Sequence, residues 1–71
     1  MAKVGDRIRV TQLDDPYTSI GPGSEGEITD VNRVNMGRDS FTQYSVKWDQ
    51  GGSLMLCTPP DRFVVIVAAE D

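Results

Sequence analysis

Residues 44–52 read Tyr44-Ser45-Val46-Lys47-Trp48-Asp49-Gln50-Gly51-Gly52 and carry the clearest structural signal in the chain. Apolar side chains occupy every second position as far as Trp48, and polar side chains fill the positions between them. A period of two residues is that of a β-strand with one buried face. The two glycines supply the positive φ that a tight hairpin turn needs. This stretch therefore predicts a strand followed by a hairpin turn.

Four further segments have the composition of short strands: Asp6–Leu13, Gly26–Val31, Ser53–Cys57 and Arg62–Val67. The last of them ends in four consecutive β-branched residues, which favour a strand. In the second, Ile28 and Val31 are three positions apart, so a regular strand would place them on opposite faces. This spacing predicts either a β-bulge between them or a strand that switches faces.

Turn-forming residues separate the strands and predict two long loops. The first loop covers residues 14–23, and the second covers residues 32–41, which are mostly polar. Pro59-Pro60-Asp61 favours a single 3₁₀ turn before the last strand, and residues 68–71 are predicted to be frayed. We therefore expect one all-β domain across residues 1–71, with its core at about 4–67. A five-stranded SH3-like barrel, closed or half-open, is favoured because an open sheet of this size would expose its edges.

The apolar pattern also predicts the interior of this barrel. At 71 residues, roughly 60% of the unfolded chain's surface is buried on folding, so the domain needs nearly all of its apolar side chains. The predicted core consists of Val4, Ile8, Val10, Ile28, Val31, Tyr44, Val46, Trp48, Leu54, Leu56, Phe63, Val65 and Ile66.

The composition disfavours catalysis and metal binding. The chain has no histidine, the usual general base near neutral pH, and its one cysteine cannot form an internal disulfide. Cys57 follows the apolar residues 54–56 and is predicted to be a small buried hydrophobe rather than a nucleophile. The acidic loop residues match no metal-loop spacing. We expect no enzyme activity, no cofactor and no metal site.

Three segments together resemble the SH3-like small barrels of the KOW and Tudor type: Val4-Gly5-Asp6-Arg7-Ile8-Arg9-Val10, Gly23-Ser24-Glu25-Gly26-Glu27-Ile28 and Val46-Lys47-Trp48-Asp49-Gln50-Gly51-Gly52. In those barrels a glycine-aspartate pair precedes the first strand, a G-x-x-G-x-I/V pattern begins the second, and a V-x-W-D-x-G hairpin follows. The resemblance implies the same small barrel here.

A narrower resemblance rests on an ordered set of motifs: Asp14-Asp15-Pro16-Tyr17, Gly23-Ser24-Glu25-Gly26, Trp48-Asp49 and Asp61-Arg62-Phe63. Over residues 4–66 the chain looks like an uncharacterised family, domain of unknown function 4314, found mainly in phages, prophages and their bacterial hosts. It departs from that family by a longer insertion around residues 32–43. The resemblance implies a phage-encoded or prophage-encoded small β-barrel, and no catalytic residue is carried over from it.

The chain contains no apolar run long enough to span a membrane and no signal-peptide pattern. We therefore expect a cytoplasmic protein, in the host-cell cytoplasm if it is phage-encoded, with no membrane partner.

The preferred functional hypothesis is a non-enzymatic module that binds a protein partner from the host or the phage. In SH3-like barrels the ligand groove generally lies between the two long loops, here residues 14–23 and 32–41. Aromatic, methionine and charged side chains on these loops have the composition of contact sites. The candidate binding residues are Asp14, Asp15, Tyr17, Met36, Arg38 and Phe41.

The alternative is a small-ligand (nucleotide) sponge or a nucleic-acid binder that acts through scattered cations. Arg7, Arg9 and Lys47 alternate onto outward strand faces, and Arg33 and Arg38 form a second patch. The net charge is −4, from seven Lys and Arg against eleven Asp and Glu, so phosphate groups are repelled at long range. Nucleic acid is therefore the less favoured partner. A homo-oligomer would relieve the small-core problem and build a pocket between subunits.

Overall fold

A computed structural model describes residues 2–13, 18–52 and 54–70. It contains five strands: β1 (Arg7–Gln12), β2 (Glu25–Met36), β3 (Asp39–Trp48), β4 (Met55–Thr58) and β5 (Arg62–Val67). All pair antiparallel in one sheet of order β4-β3-β2-β1-β5. The predicted all-β class and the five strands are confirmed. No helix in these residues has the length and apolar character to cross a membrane.

The sheet coils, but its hydrogen-bonded ladder does not close. β4 ends at Thr58 opposite Thr42, and β5 begins at Arg62 opposite Gln12. Only residues 59–61 join these two edge strands, so the sheet must bend until its edges approach each other. Tyr44 on β3 and Phe63 on β5 meet edge-to-face, with ring centroids 4.9 Å apart.

Of the closed and half-open forms expected, the closed barrel is wrong: the five strands form one open sheet, whose edges approach each other through side-chain packing. β4 has only four residues. It is followed by two prolines, which have no N–H group to extend a ladder.

Seven of the eight buried apolar side chains in the described residues were predicted from alternation. They are Ile8, Val10, Ile28, Tyr44, Val46, Trp48 and Leu56. Val31, Leu54 and Phe63 pack against this core while half-buried, and Ile66 is also half-buried. The indole N–H of Trp48 donates to the carbonyl of Leu54 at 3.0 Å, which holds the segment between β3 and β4 over the core.

Three positions depart from the predicted core. Val4 is 54% exposed because it precedes the first strand, and Val65 is 42% exposed because it lies on an edge strand whose register shifts. Ile20 is buried but was not predicted, since it is a single apolar residue between polar and glycine-rich neighbours. Its N–H donates to Thr18 Oγ1 at 3.1 Å.

The predicted bulge in β2 is confirmed. Ile28 pairs with Val46 and Asp30 with Ser45, so Thr29 is the extra residue. Thr29 Oγ1 donates to the Ser45 carbonyl at 3.2 Å. Because of the bulge, Ile28 and Val31 lie on the same face of the sheet.

Residues 32–41 are not a loop, which corrects the second long loop of the sequence prediction. β2 continues to Met36, β3 begins at Asp39, and Gly37 (φ 64°) and Arg38 form a two-residue turn. Strand alternation is hard to detect here because neither face of this ribbon packs against the core, so neither face has to be apolar throughout.

The connection between β4 and β5 and the chain end also differ from expectation. Residues 59–60 form a turn in which the Asp61 N–H donates to the Cys57 carbonyl at 2.9 Å. This hydrogen bond joins residues four positions apart, whereas the bond that closes a 3₁₀ turn joins residues three positions apart. Residues 68–70 are held rather than frayed, since the Ala69 N–H donates to Asp6 Oδ1 at 2.7 Å. Asp71 lies outside the described residues.

Candidate functional site

The six candidate binding residues fall into two groups. Asp14, Asp15 and Tyr17 lie outside the described residues. Met36, Arg38 and Phe41 lie together at the end of the β2–β3 hairpin. The structure therefore locates one half of the predicted surface, and that half is a β-ribbon instead of a loop.

This ribbon extends beyond every neighbouring strand. The β1–β2 pairing stops at Arg7 opposite Glu27, and the β3–β4 pairing stops at Thr42 opposite Thr58. Residues 34–41, which we call the hairpin tip, consequently form ladder pairs only with one another. The hairpin tip is a two-stranded arm that projects from the sheet.

The two faces of the hairpin tip differ in chemistry. Val34 pairs with Phe41 and Met36 with Asp39, and directly opposed residues share a face. Val34 and Phe41 are half-buried, while Met36 is 64% exposed. The other face carries Asn35 opposite Ser40. One face is thus an apolar stripe and the other is polar.

A cleft of about 460 Å³ lies at the base of the hairpin; it is lined by Thr11, Thr58, Asp61, Arg62, Phe63 and Val64. Thr58 pairs with Thr42, the residue that directly follows the hairpin tip on β3, and Thr58 Oγ1 lies 3.5 Å from the Thr42 carbonyl. The segment after β1 leaves the sheet one residue beyond Thr11, at Gln12. The start of the first loop and the base of the hairpin therefore flank the same cleft.

The outward face of β1 carries arginines that are already neutralised. Arg7 forms a two-bonded ion pair with Asp49, with Nη2–Oδ2 at 2.5 Å and Nη1–Oδ1 at 3.3 Å. Arg9 donates from Nε and Nη2 to Glu25 Oε2 at 3.1 and 3.0 Å. The hydrogen bond that Arg7 donates lowers the pKa of Asp49, and the same bond raises the pKa of Arg7.

Lys47 belongs to a row of side chains across three strands in which positive and negative charges alternate. Arg7 opposes Glu27 on β2, and Glu27 opposes Lys47 on β3. The face that was predicted as a basic patch therefore carries three cations and three carboxylates. The cations are Arg7, Arg9 and Lys47, and the carboxylates are Glu25, Glu27 and Asp49. The summed charge of this face is zero. Such a face offers phosphate groups little net attraction.

Cys57 is half-buried on β4. Burial, followed by the negative charge of Asp61, raises the pKa of the Cys57 thiol. The thiolate is the reactive form, so this environment disfavours nucleophilic use near neutral pH. Within the described residues, no three His, Cys, Asp or Glu side chains come together as a metal site.

Asp6 is a structural anchor that the sequence indicated only as part of the glycine-aspartate pair before β1. It is 4% exposed, and its carboxylate accepts the N–H groups of Lys3 at 3.0 Å and Ala69 at 2.7 Å. These two bonds lower its pKa. Its carbonyl also accepts the Ile28 N–H at 2.9 Å. The glycine-aspartate pair before β1 was the available signal for this anchor.

Comparison with known proteins gives one match. A family described as a Domain of unknown function (DUF4314) matches residues 2–66 of the chain. Neither the curated proteins nor the solved structures contain a significant match to it.

Proposed function

The chain belongs to the DUF4314 family, and from that premise we propose that it is a non-enzymatic binding module for a protein partner. The proposed contact surface combines the apolar stripe of the hairpin tip with residues 14–23, of which the structure describes 18–23. The partner is a protein of the host or of the phage.

The projecting hairpin tip is the observation that carries this proposal. An isolated two-stranded hairpin is marginally stable in water, so an arm that forms no ladder with another strand adds little to folding. This arm nevertheless presents Met36 and Phe41 on one face, with Arg38 at its turn. Methionine, aromatic residues and arginine are the types enriched at protein interfaces. Contact with another molecule accounts for their exposure.

Charge favours a protein partner over nucleic acid. The chain carries a net charge of −4, and the arginines of β1 are paired with Asp49 and Glu25. A basic protein surface would be attracted to such a molecule, and a phosphate backbone would be repelled. An acidic module of this kind is also suited to blocking a nucleic-acid-binding surface by mimicry.

Two further parts of the proposal concern origin and fold relationship. The coiled five-stranded sheet, with β5 beside β1, supports kinship with SH3-like barrels of the KOW and Tudor type. A phage or prophage origin and the host-cell cytoplasm as compartment follow from the family resemblance described above.

The test compares two variants that alter opposite faces of one ribbon. Met36→Ser with Phe41→Ala removes the apolar stripe, and Asn35→Ala with Ser40→Ala alters the polar face as the matched control. Each tagged protein is used to capture partners from host lysate at low and high salt, and nucleic acid is assayed in the eluate. Thermal melting establishes that every variant is folded.

We expect one protein that is retained by the wild type and the control at both salt concentrations and lost from the stripe variant. Purified partner should then bind the stripe variant at least about tenfold more weakly, since hot-spot side chains contribute 1 kcal/mol or more each. Equal capture by both variants would contradict the placement of the site. Nucleic acid that is released by salt would favour the alternative function.

A further inference from the structure

The strand β5 forms one edge of the sheet, and apart from a register shift at Ile66, between Val65 and Val67, it has little of the usual protection of an edge. It pairs with β1 on one side and is last in the strand order. Val64, Val65 and Val67 are 46%, 42% and 58% exposed. Natural edge strands are normally blunted by charged residues or proline within the strand, because unpaired N–H and C=O groups template pairing with another chain. In β5 the only charged residue is Arg62, at its first position.

The opposite edge of the sheet is less suited to pairing. β4 contains four residues, from Met55 to Thr58, and is followed by two prolines. A proline offers no N–H group to a partner strand. Strand addition is therefore expected at β5 and not at β4.

The charges that flank β5 indicate what the added strand is. Arg62 and Glu70 are both exposed, and Ile66 is four residues from each. A two-fold axis near Ile66 would bring Arg62 of each copy opposite Glu70 of the other in an antiparallel ladder. We propose that β5 pairs with β5 of a second copy of this chain, giving a symmetric dimer with one continuous sheet.

The chain end is positioned to take part in this ladder. The hydrogen bond from the Ala69 N–H to Asp6 holds the residues after β5 beside the start of β1. Glu70 therefore continues from β5 on a fixed path. Across residues 62–70 the charges of Arg62 and Glu70 cancel. Two chains that each carry −4 can consequently approach along this edge with little repulsion.

Dimerisation would also compensate for the small core. The described residues bury eight apolar side chains and leave the valines of β5 partly in water. Pairing at this edge would cover them and saturate the free backbone groups of β5. Stability should then rise with protein concentration, as it does for any folded state that is favoured by association.

Sedimentation equilibrium of the untagged protein over a wide concentration range tests the proposal. The wild type should fit a monomer–dimer equilibrium. Val67→Glu should weaken dimerisation at least about tenfold, because it places carboxylates within the ladder. In the monomer, its new side chain would lie opposite Arg7, so folding should be retained. The matched control is Met36→Glu, at an equally exposed position on the hairpin tip, which should leave the dimer unchanged.

Charge reversal tests the register. Arg62→Glu alone should weaken the dimer about tenfold, since two attractive pairs become repulsive, and Arg62→Glu with Glu70→Arg should restore it. Failure of the double reversal to restore affinity would overturn the antiparallel register. A strictly monomeric wild type would overturn the dimer, and open-ended assembly would indicate head-to-tail pairing instead. The outcomes for the Val67 and Arg62 variants do not bear on partner binding by the hairpin tip, because these substitutions lie on β5 and not on the hairpin tip.

Discussion

Gly26 on β2 lies in close contact with β3. It is buried, and a Cβ atom placed on it would lie 2.6 Å from the Lys47 carbonyl oxygen and 2.7 Å from Val46 Cγ1. The first of these neighbours is backbone and cannot move aside without displacing β3. A glycine is therefore required here by space, although its φ is not in the left-handed region.

We predict that Gly26→Ala lowers the free energy of unfolding by about 1–3 kcal/mol, the usual range for overpacking in a folded core. Gly21→Ala is the control, since no atom lies within 4 Å of its Cβ position and its φ is unrestricted. That variant should unfold near the wild-type urea midpoint or slightly above it. Equal destabilisation by both substitutions would show that backbone freedom, and not the contact with β3, sets the effect.

Asp6 leads to a prediction about pH. Its pKa is lowered in the folded protein by the N–H groups of Ala69 and Lys3. The stabilisation it provides is therefore complete above the unfolded value, about 3.9, and is lost as pH falls through the lower folded value. Asp6→Asn should be less stable than wild type at neutral pH, and the difference should narrow below about pH 4.

Urea unfolding of both proteins across this pH range measures the effect. Asp39→Asn, at an exposed position at the start of β3, removes the same charge without these backbone bonds. A gap between wild type and Asp6→Asn that stayed constant with pH would contradict the role of the Asp6 carboxylate.

At the scale of elements, the alternation of apolar and polar residues predicted the strands that have one buried face. It did not predict the hairpin tip, which has no fully buried face. The strand around Tyr44, Val46 and Trp48 was predicted because its apolar side chains face the core. The Ile28–Val31 spacing revealed the bulge. The hairpin tip gave no such signal, since both of its faces meet solvent and neither has to be apolar throughout.

The hairpin tip should be dispensable for folding. Residues 34–41 can be replaced by Asn-Gly, which joins Arg33 to Thr42 through a two-residue turn and preserves the remaining register. We predict a change of less than about 1 kcal/mol in the free energy of unfolding, because the removed residues form no ladder with another strand and do not pack against the core cluster. Chemical denaturation measures this directly. A large loss of stability would show that the tip packs on the sheet and is not a projecting arm.

At the scale of the whole molecule, the coil of the sheet depends on registers that no local pattern encodes. The three-residue connection between β4 and β5 brings the two edges of the sheet together, and Tyr44 consequently contacts Phe63. The burial of Ile20 is also a non-local effect, since its Cδ1 atom lies 3.7 Å from the position of a Cβ atom on Gly52, in the turn after β3. The sequence predicted a compact all-β domain, but neither the open ladder nor the neutralised charges of β1 could be read from it.

Those paired charges yield the last prediction. With Arg7 and Arg9 held by Asp49 and Glu25, the wild type should bind single-stranded or duplex oligonucleotides more weakly than about 10⁻⁴ M at physiological salt. Glu25→Gln with Asp49→Asn changes the net charge from −4 to −2 and frees both guanidinium groups. Fluorescence anisotropy in low salt should then detect weak binding that disappears as salt is added. If the wild type already bound tightly and with a steep salt dependence, phosphate recognition would be a native activity, and the proposal of a protein partner would have to be abandoned.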